Sequence, residues 1–433
     1  MPRDDALAAL PAARAVAAAH AALREVLAGS PPPSLRAPWQ RAAVAAARHE
    51  ARVCAAGFLR AHVDRLHDEI TAGGTRFLRL AEVCDAAAAA VPGLVPAKEE
   101  SDAEQDRPPA DKEGLDVDQS ILISHLLRSR TAGPHLLDAM RRPTPKALRL
   151  LPEFERTGVL TLASVHVRCA DGVAHLTMQR DDCLNAEDNQ QVEDMETAVD
   201  LVLLAQAVKV GVIRGGVMSH PRYAGRRVFS SGINLKSLHA GRISFTGFLL
   251  GREMGYLAKI IHGMTGVRDD HWDRGPVQKP WLAAVDSFAI GGGAQLMLAC
   301  DRVIVERDAY FTIPAAREGI IPGVAALRLG RLVGARQARQ IILADGRVAA
   351  GDPAARLLFD EVCAPEDMAG AIAAEASRLA APAVVANRRM LNLADESQES
   401  FREFLAEFTV QQAGRLYAED VLTKVSRFAT SAS

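Results

Sequence analysis

The six cysteines of this 433-residue sequence are scattered and include no C-x-x-C pair. This spacing argues against a zinc site or a disulfide framework and favours a reducing compartment. No apolar run approaches the roughly 18 residues of a membrane-spanning helix. The first residues, MPRDDALAALPAARAVAAAH, contain early acidic residues and no continuous apolar core, unlike a secretory signal. The sequence therefore predicts a cytoplasmic protein.

An excess of charge of either sign is also missing. With 51 basic and 53 acidic residues, the net charge is -2, which gives no electrostatic reason to expect a nucleic-acid or membrane partner. Hydrophobic residues make up 49% of the chain, so a sizeable packed core is possible. The length fits one large domain or two ordinary ones.

The pattern of residues divides the chain into three regions. Residues 1–155 are predicted to form a helical N-terminal domain, in which apolar spacing over 39–70 indicates a long amphipathic helix and the acidic stretch 92–118 indicates a mobile linker. Residues 156–365 alternate short strands and helices, which predicts an α/β core with parallel strand pairing. Residues 366–433 are predicted to be helical.

Within the core, Asp171-Gly172 predicts a hairpin turn into a strand at 173–178. A helix is expected at about 244–264. The apolar stretch 281–290 predicts one buried strand that leads through three glycines into another helix.

Two glycine-containing turns are candidates for ligand contact, SSGINL at 230–235 and AIGGGAQ at 289–295. Glycine permits close approach of the backbone to a ligand, and a helix start leaves N–H donors unpaired. Two such donors that converge from different turns would form an oxyanion hole. The alternative for the second turn is that its glycines only allow close packing of helix and strand.

The order LNAEDNQQ, VFSSGINLKSL, KPWLAAVDSFAIGGGAQLMLACDRVI and FTIPAAREGIIPG resembles the enoyl-CoA hydratase (crotonase) superfamily over residues 160–365. The resemblance implies a crotonase-like ββα superhelix core that binds an acyl-CoA thioester. It further implies that the main-chain amides of Ile233 and Gly292 form the oxyanion hole. Lys236 is implied as a contact for a CoA phosphate, with a solvated surface lysine as the alternative.

Two positions depart from the hydratase pattern. The two glutamates that handle water and proton in hydratases would fall at Gln295 and Ala315. A glutamine cannot serve as a general base, and an alanine has no titratable group. Hydration of a double bond is therefore not expected, although the oxyanion hole is retained.

Three polar residues are candidates for contact with a substrate. Glutamate accepts hydrogen bonds, arginine donates them and glutamine does both, so Glu187, Arg252 and Gln295 suit phenolic hydroxyl groups. An ordinary salt bridge or a helix-start charge is the alternative for Glu187 and Arg252. The helical extension, the insertion MSHPRYAGRRVF and the segments GREMGY and EGIIPG together resemble a dioxygenase branch of the superfamily, nearly from end to end.

This second resemblance implies a reaction without metal or organic cofactor, in which CoA enters only as part of a dihydroxyphenylacetyl-CoA substrate. The substrate carbanion would react with dioxygen, and the peroxide would attack the thioester carbonyl. CoA would leave, and dihydroxyphenylglyoxylate, a precursor of an antibiotic amino acid, would remain. Glu187, Arg252 and Gln295 are implied to hold the ring hydroxyls, and Ile320 to line a pocket for dioxygen, where core packing is the alternative. No residue is assigned as the base for the α-proton.

Family likeness also implies a homotrimer or a pair of trimers formed through the C-terminal helices. The helical N-terminal region is expected either to close the substrate pocket against water or to be a structural or oligomer-forming extension. No nucleic-acid or membrane partner is expected.

Three alternatives stay open from the sequence. The first is another acyl-CoA reaction on the same fold, by a hydrolase, isomerase or decarboxylase. The second is a metal oxygenase that uses the H-x-D sequence at 271–273, which a solvated loop explains as well. The HDE sequence at 67–69 also contains possible metal ligands, but it is predicted to be surface charge on a helix. The third is a non-enzymatic protein with a degenerate crotonase shell.

Overall fold

The structure is a computed structural model and describes residues 7–268, 270–272, 275–418, 420 and 421. Two compact units divide the chain. The first takes its described residues from 1–140, 236–247 and 402–433, and the second consists of 141–235 and 248–401. The division of the sequence at residues 155 and 365 stays a prediction.

Helices make up the first unit and flank the strands of the second. The α-helices in chain order are α1 (Pro11–Ala28), α2 (Pro38–Ile70), α3 (Leu80–Ala90), α4 (Lys98–Gln105), α5 (Leu115–Arg128), α6 (Ala132–Arg141), α7 (Pro145–Thr157), α8 (Asn189–Leu204), α9 (Leu235–His239), α10 (Ala258–His262), α11 (Gly292–Leu298), α12 (Ala315–Glu318), α13 (Ala325–Leu343), α14 (Met368–Leu379), α15 (Pro382–Asp395) and α16 (Gln398–Leu416). Short 3₁₀ turns lie at Leu7–Ala9, Pro33–Leu35, Pro109–Asp111, Asp181–Cys183 and Pro353–Leu357.

Helix α2 confirms the long helix predicted over 39–70. It begins with proline at its first position, where the missing N–H would have no helical partner. The C-terminal region is helical as predicted, from α14 to α16 within the described residues.

The predicted linker at 92–118 is partly wrong, because α4 lies inside it. Glu104 on this helix is 1% exposed, and its Oε1 accepts hydrogen bonds from the amides of Gly114 (2.7 Å) and Leu115 (3.3 Å). These amides belong to the start of α5, whose first N–H groups have no partner inside the helix. An acidic residue of this segment, Glu104, therefore caps the start of α5.

The HDE sequence on α2 is only partly surface charge. Asp68 and Glu69 are exposed, but His67 is buried, and its Nε2 lies 3.0 Å from Nδ1 of His135. Burial lowers the pKa of His67. The prediction of a solvated histidine is wrong because its ring pairs with a residue far away in the sequence.

Among the described residues of the second unit, ten strands form two sheets. The strands are β1 (Val159–Thr161), β2 (Val165–Ala170), β3 (Val173–Met178), β4 (Val210–Gly215), β5 (Trp281–Val285), β6 (Phe288–Ile290), β7 (Arg302–Glu306), β8 (Tyr310–Thr312), β9 (Arg347–Ala349) and β10 (Glu361–Cys363). The larger sheet has the order β1-β2-β3-β4-β5-β7-β10, and it is parallel from β3 onward. The smaller sheet has the order β6-β8-β9.

The hairpin predicted at Asp171-Gly172 is confirmed between β2 and β3. Both turn residues have positive φ, 52° and 79°, as the favoured two-residue hairpin turns require. The core beneath this sheet is formed by strands β4, β5 and β7 against the buried face of α14, with Val212, Leu282 and Ile304 facing Met368 and Ile372.

The single strand predicted at 281–290 is wrong, because β5 and β6 belong to different sheets. The strand is interrupted at Asp286, whose carboxylate accepts two hydrogen bonds from Arg214 (2.7 and 2.8 Å). Ser287 has a φ of 61°, and its amide donates to Glu306 (3.0 Å). Because of this interruption, β6 belongs to the smaller sheet, and the glycine turn that follows β6 lies at the end of that sheet's strand.

The helix predicted at 244–264 is irregular. It consists of two π-helical turns, Phe245–Leu250 and Glu253–Leu257, followed by α10, and Gly255 inside the second turn has non-helical angles. Such π-helical turns are frequently found at functional sites. Among the described residues, no single helix is long and apolar enough to cross a membrane, and one sharply bent pair, α14 with α15, meets the length and composition requirement only when taken together.

Candidate active site

Two backbone turns form the centre of the candidate site. The first, at residues 230–234, lies along β6: the amide of Ser230 donates to the carbonyl of Phe288 (3.3 Å), and the amide of Ile290 donates to the carbonyl of Ser230 (3.0 Å). The turn is thus held at the edge of the smaller sheet.

The other side of the same turn pairs with Glu187. The amide of Glu187 donates to the carbonyl of Gly232 (2.7 Å), and the amide of Asn234 donates to the carbonyl of Glu187 (2.8 Å). Main-chain groups along an extended segment alternate in direction. The N–H of Ile233 therefore faces away from Glu187.

The second turn, at 291–293, ends β6 and begins α11. The N–H of Gly292 is the first amide of this helix, so no carbonyl within the helix accepts it. The two turns lie close together: a Cβ added to Gly232, whose φ is 90°, would lie 2.8 Å from the carbonyl oxygen of Ile290 and 3.3 Å from the nitrogen of Gly292. The two turns are therefore adjacent; an oxyanion hole would require the amides of Ile233 and Gly292 to point to one place.

A buried polar cluster centred on Arg252 adjoins the second turn. Nε of Arg252 donates to Oε1 of Glu187 (3.1 Å), and Nη2 donates to the main-chain oxygen of Gly292 (2.6 Å). Nη1 donates to Oε1 of Glu253 (3.0 Å) and to Oε1 of Gln295 (2.7 Å). The three polar side chains predicted from the sequence therefore meet at one place, joined by the guanidinium.

The charged members of this cluster are almost wholly buried, with exposures of 3% for Arg252, 1% for Glu187 and 3% for Glu253. Burial alone would lower the pKa of Arg252, but the neighbouring carboxylates raise it above its usual value, so the guanidinium stays charged. Burial raises the pKa of Glu253. A buried ion of either sign is costly unless it is paired, and Arg252 supplies the pairing for both carboxylates.

Sequence reasoning missed two members of the cluster, Glu253 and Tyr256. The hydroxyl of Tyr256 donates to Oε1 of Glu187 (2.7 Å), and the ring is fully buried. Burial raises the pKa of Tyr256 well above its usual value, so the phenol remains a donor. No local signal indicated Tyr256, because the turn that carries it is π-helical and Gly255 within it has non-helical angles, so the four-residue spacing from Arg252 does not predict a shared helix face.

Helix α8 fixes both sides of the cluster. It begins directly after Glu187, and its N-cap Asp188 accepts a hydrogen bond from the amide of Gln191 (3.1 Å), as helix starts favour. Further along α8, Glu196 and Asp200 receive hydrogen bonds from Lys259 of α10, at 2.9 and 2.6 Å.

Burial raises the pKa of Asp200, although the positive charge of Lys259 acts in the opposite direction. This buried ion group fastens the helix that carries Arg252 and Tyr256 to the helix that follows Glu187.

Three further positions named from the sequence are Ile320, Ala315 and Lys236. Ile320 is half-buried, and its amide donates to the carbonyl of Ala315 (3.0 Å). Ala315, where hydratases carry their second glutamate, is buried at the start of α12. Lys236 is exposed on α9 and belongs to the first unit.

Within the described residues, no group of three or more His, Cys, Asp or Glu side chains is arranged to hold a metal ion. For the H-x-D sequence at 271–273, His271 lies 3.0 Å from the side chain of Arg268 and Trp272 is exposed. Asp273 lies outside the described residues.

The mixed sheets, the converging glycine turns and the surrounding helices together define a class. The model of the enoyl-CoA hydratase/isomerase family matches residues 168–413, and the chain belongs to this family. A crystal structure of an enoyl-CoA hydratase from Bacillus halodurans is similar in fold, with a TM-score of 0.51 and 20% identity over 61% of this chain and 100% of that one.

A much higher similarity extends over the whole chain. The chain is 54% identical to a (3,5-dihydroxyphenyl)acetyl-CoA 1,2-dioxygenase of Amycolatopsis orientalis over 96% of its own length and 95% of that protein's. A probable enoyl-CoA hydratase of Rhizobium meliloti (strain 1021) is 28% identical over 45% of this chain and 66% of its own length. The helical N-terminal part is therefore shared with the dioxygenase.

Proposed function

We propose that this chain is a dioxygenase that converts 3,5-dihydroxyphenylacetyl-CoA and dioxygen to 3,5-dihydroxyphenylglyoxylate and free CoA. The observation that carries the proposal is the likeness to the Amycolatopsis orientalis dioxygenase over nearly the full length of both proteins. The candidate site supports it, because the hydratase pair of glutamates is replaced by Gln295 and Ala315 while both glycine turns are present.

The reaction needs no metal or organic cofactor in this proposal, because the substrate supplies the electrons. Loss of one α-proton gives an enolate, whose oxygen the amides of Ile233 and Gly292 stabilise. The carbanion carbon bonds to dioxygen, and the terminal peroxide oxygen attacks the thioester carbonyl and expels CoA thiolate. The O–O bond then breaks as the second α-hydrogen leaves as a proton, which yields the ketone and the carboxylate.

The polar cluster is proposed to recognise the aromatic ring. Glu187, Arg252 and Gln295 are proposed to hold the two ring hydroxyls, because their side chains together offer both donors and acceptors in a buried setting. Ile320 is proposed to line an apolar pocket for dioxygen, and Lys236 is the proposed contact for a CoA phosphate. The proposed assembly is a homotrimer or a pair of trimers.

One experiment tests the reaction. The protein is incubated with 3,5-dihydroxyphenylacetyl-CoA without added metal, in air and without oxygen, while free thiol and dissolved oxygen are followed. In air, we expect release of thiol and uptake of oxygen in equal amounts. Without oxygen, we expect no release of thiol. With ¹⁸O₂, one labelled atom is expected in the ketone and one in the carboxylate of the product. Thiol release without oxygen uptake would instead indicate a thioester hydrolase.

A further inference from the structure

The two oxygens of the Glu187 carboxylate have different surroundings. Oε1 receives two donors, the hydroxyl of Tyr256 at 2.7 Å and Nε of Arg252 at 3.1 Å. Oε2 is buried and has no hydrogen-bond partner among the described residues, although Nη2 of Arg252 lies 3.0 Å away at ion-pair distance. Oε2 thus has an ion-pair contact but no hydrogen-bond donor aligned on it, and a buried acceptor without a hydrogen bond is costly, so Oε2 is the oxygen to which a ligand could donate.

Arg252 by itself does not determine which of the two carboxylate oxygens of Glu187 lacks a hydrogen bond. Its guanidinium is planar with five N–H groups, and two of its nitrogens, Nε and Nη2, lie beside the carboxylate. Rotation of a carboxylate about its terminal bond is two-fold and soft. A second donor with a fixed position is needed to hold Oε1 in place and keep Oε2 in its present direction.

Tyr256 is such a donor. Its side chain is 0% exposed, and its ring centre lies 5.6 Å from the guanidinium carbon of Arg252. It lies on the π-helical turn Glu253–Leu257, one turn before Lys259, whose ammonium group is held by two carboxylates of α8. Since α8 begins directly after Glu187, the phenol and the carboxylate are positioned by the same pair of helices.

We propose that Tyr256 is a positioning residue for substrate selection: its hydroxyl holds Oε1 of Glu187, so that Oε2 is kept as the acceptor for a phenolic hydroxyl of the substrate. The inference rests on the proposed function, since it concerns the ring-binding end of that site. A substrate without the hydroxyl leaves Oε2 unpaired and binds more weakly, and this difference is the basis of the selection.

The test compares three proteins, namely wild type, Tyr256→Phe and Tyr417→Phe. Tyr417 is a matched control, because its hydroxyl also donates to a carboxylate, Asp116 at 2.6 Å, in the helical unit. Each protein is assayed with 3,5-dihydroxyphenylacetyl-CoA and phenylacetyl-CoA. Anaerobic binding of the two matching amide analogues, in which NH replaces the thioester sulfur, is measured by calorimetry.

We expect Tyr256→Phe to lower kcat/KM and analogue affinity for the dihydroxylated compound about tenfold and to change those for the unsubstituted compound less than twofold. Tyr417→Phe should leave the ratio between the two compounds unchanged. An equal loss on both compounds would mean that Tyr256 only supports the fold, and no loss on either would also overturn the inference.

Failure of the proposed function can be told apart from failure of this inference. If wild type takes up no oxygen with the dihydroxylated thioester, the proposed reaction is wrong. The calorimetric comparison then tests the role of Tyr256 independently of the reaction. If wild type and Tyr256→Phe show the same preference between the two analogues, the role proposed for Tyr256 is wrong.

Discussion

Oε2 of Glu187 lies directly beside the α-carbon of Gly292: a Cβ added to this glycine would be 2.0 Å from that oxygen. Gly292, whose amide is proposed to contact the thioester oxygen, and Glu187, which is proposed to contact a ring hydroxyl, are thus in contact. Since a real Cβ cannot be accommodated at 2.0 Å, any side chain at 292 must displace the carboxylate or the turn.

The first prediction is that Gly292→Ala abolishes oxygenation while the protein remains folded. The added methyl group would displace Glu187 and shift the amide that is proposed to stabilise the enolate, and loss of one such donor costs about 10²–10³ in kcat. Oxygen uptake and thiol release are measured together with far-UV circular dichroism.

Gly370→Ala is the matched control for this prediction. Gly370 lies in α14 with nothing within 4 Å of an added Cβ, so the same substitution there should leave turnover unchanged. Turnover by Gly292→Ala within threefold of wild type would contradict the proposed position of the oxyanion hole.

The second prediction concerns Gln295→Glu, which restores the residue that hydratases carry. Oε1 of Gln295 already accepts a hydrogen bond from Arg252 (2.7 Å), so its NH₂ group is the part that a substrate hydroxyl oxygen can use. Glutamate keeps the acceptor but removes the donor and adds negative charge beside Glu187 and Glu253.

We expect kcat/KM for 3,5-dihydroxyphenylacetyl-CoA to fall about 10- to 100-fold in this variant. Gln340→Glu, at an exposed position on α13, is the control and should behave as wild type. Unchanged kinetics with Gln295→Glu would show that the glutamine amide does not contact the substrate.

The third prediction is that removal of metal leaves the reaction intact. In the proposed mechanism the substrate carbanion itself reduces dioxygen, so extensive dialysis against a chelator should not change oxygen uptake. The measurement is the rate before and after dialysis, with metal content determined in parallel. Activity that is lost on dialysis and restored by ferrous iron would favour a metal oxygenase.

The fourth prediction concerns stability and pH at Glu396. Burial would raise the pKa of Glu396, but the guanidinium of Arg328 and the imidazole of His262 lower it to about 2 from the usual 4.5. A carboxyl whose pKa is lowered in the folded state stabilises the protein above pH 4.5, and this contribution is lost as the pH falls towards 2.

Glu396→Gln should therefore reduce the free energy of unfolding by roughly 3 kcal/mol at pH 7, with a smaller difference from wild type below pH 4. Urea unfolding at several pH values measures this. Glu407→Gln removes an exposed ion pair to Arg128 and is expected to cost less than about 1 kcal/mol. A loss in Glu396→Gln that does not depend on pH would contradict the assignment.

Local sequence predicted the elements whose cause is local. Helix α2 follows from apolar spacing, and the β2–β3 hairpin follows from Asp171-Gly172, because a two-residue turn with positive φ favours these residues. The break between β5 and β6 was not predictable in this way. It depends on Arg214 and Glu306, which lie in other strands and bind Asp286 and Ser287 only once the sheets have formed.

The candidate site shows the same division. The family pattern indicated Ile233, Gly292 and the polar residues, but no local signal shows that Arg252 meets Glu187 and Gln295, which lie 65 and 43 residues away in sequence. Tyr256 was missed because a tyrosine on a helix is more often core than site. Its contact with Glu187 depends on the irregular turn Glu253–Leu257, which no local pattern in the sequence predicts.

The bond from Arg252 to the carbonyl of Gly292 has a consequence for how this protein can acquire new substrates. Arg252 contacts both Glu187, which is proposed to bind the aryl group, and Gly292, which is proposed to hold the thioester oxygen, so a replacement at 252 is expected to impair both tasks together. New aryl preferences are therefore expected to evolve through neighbours such as 256 and 295, with the arginine retained while the substrate range around it changes.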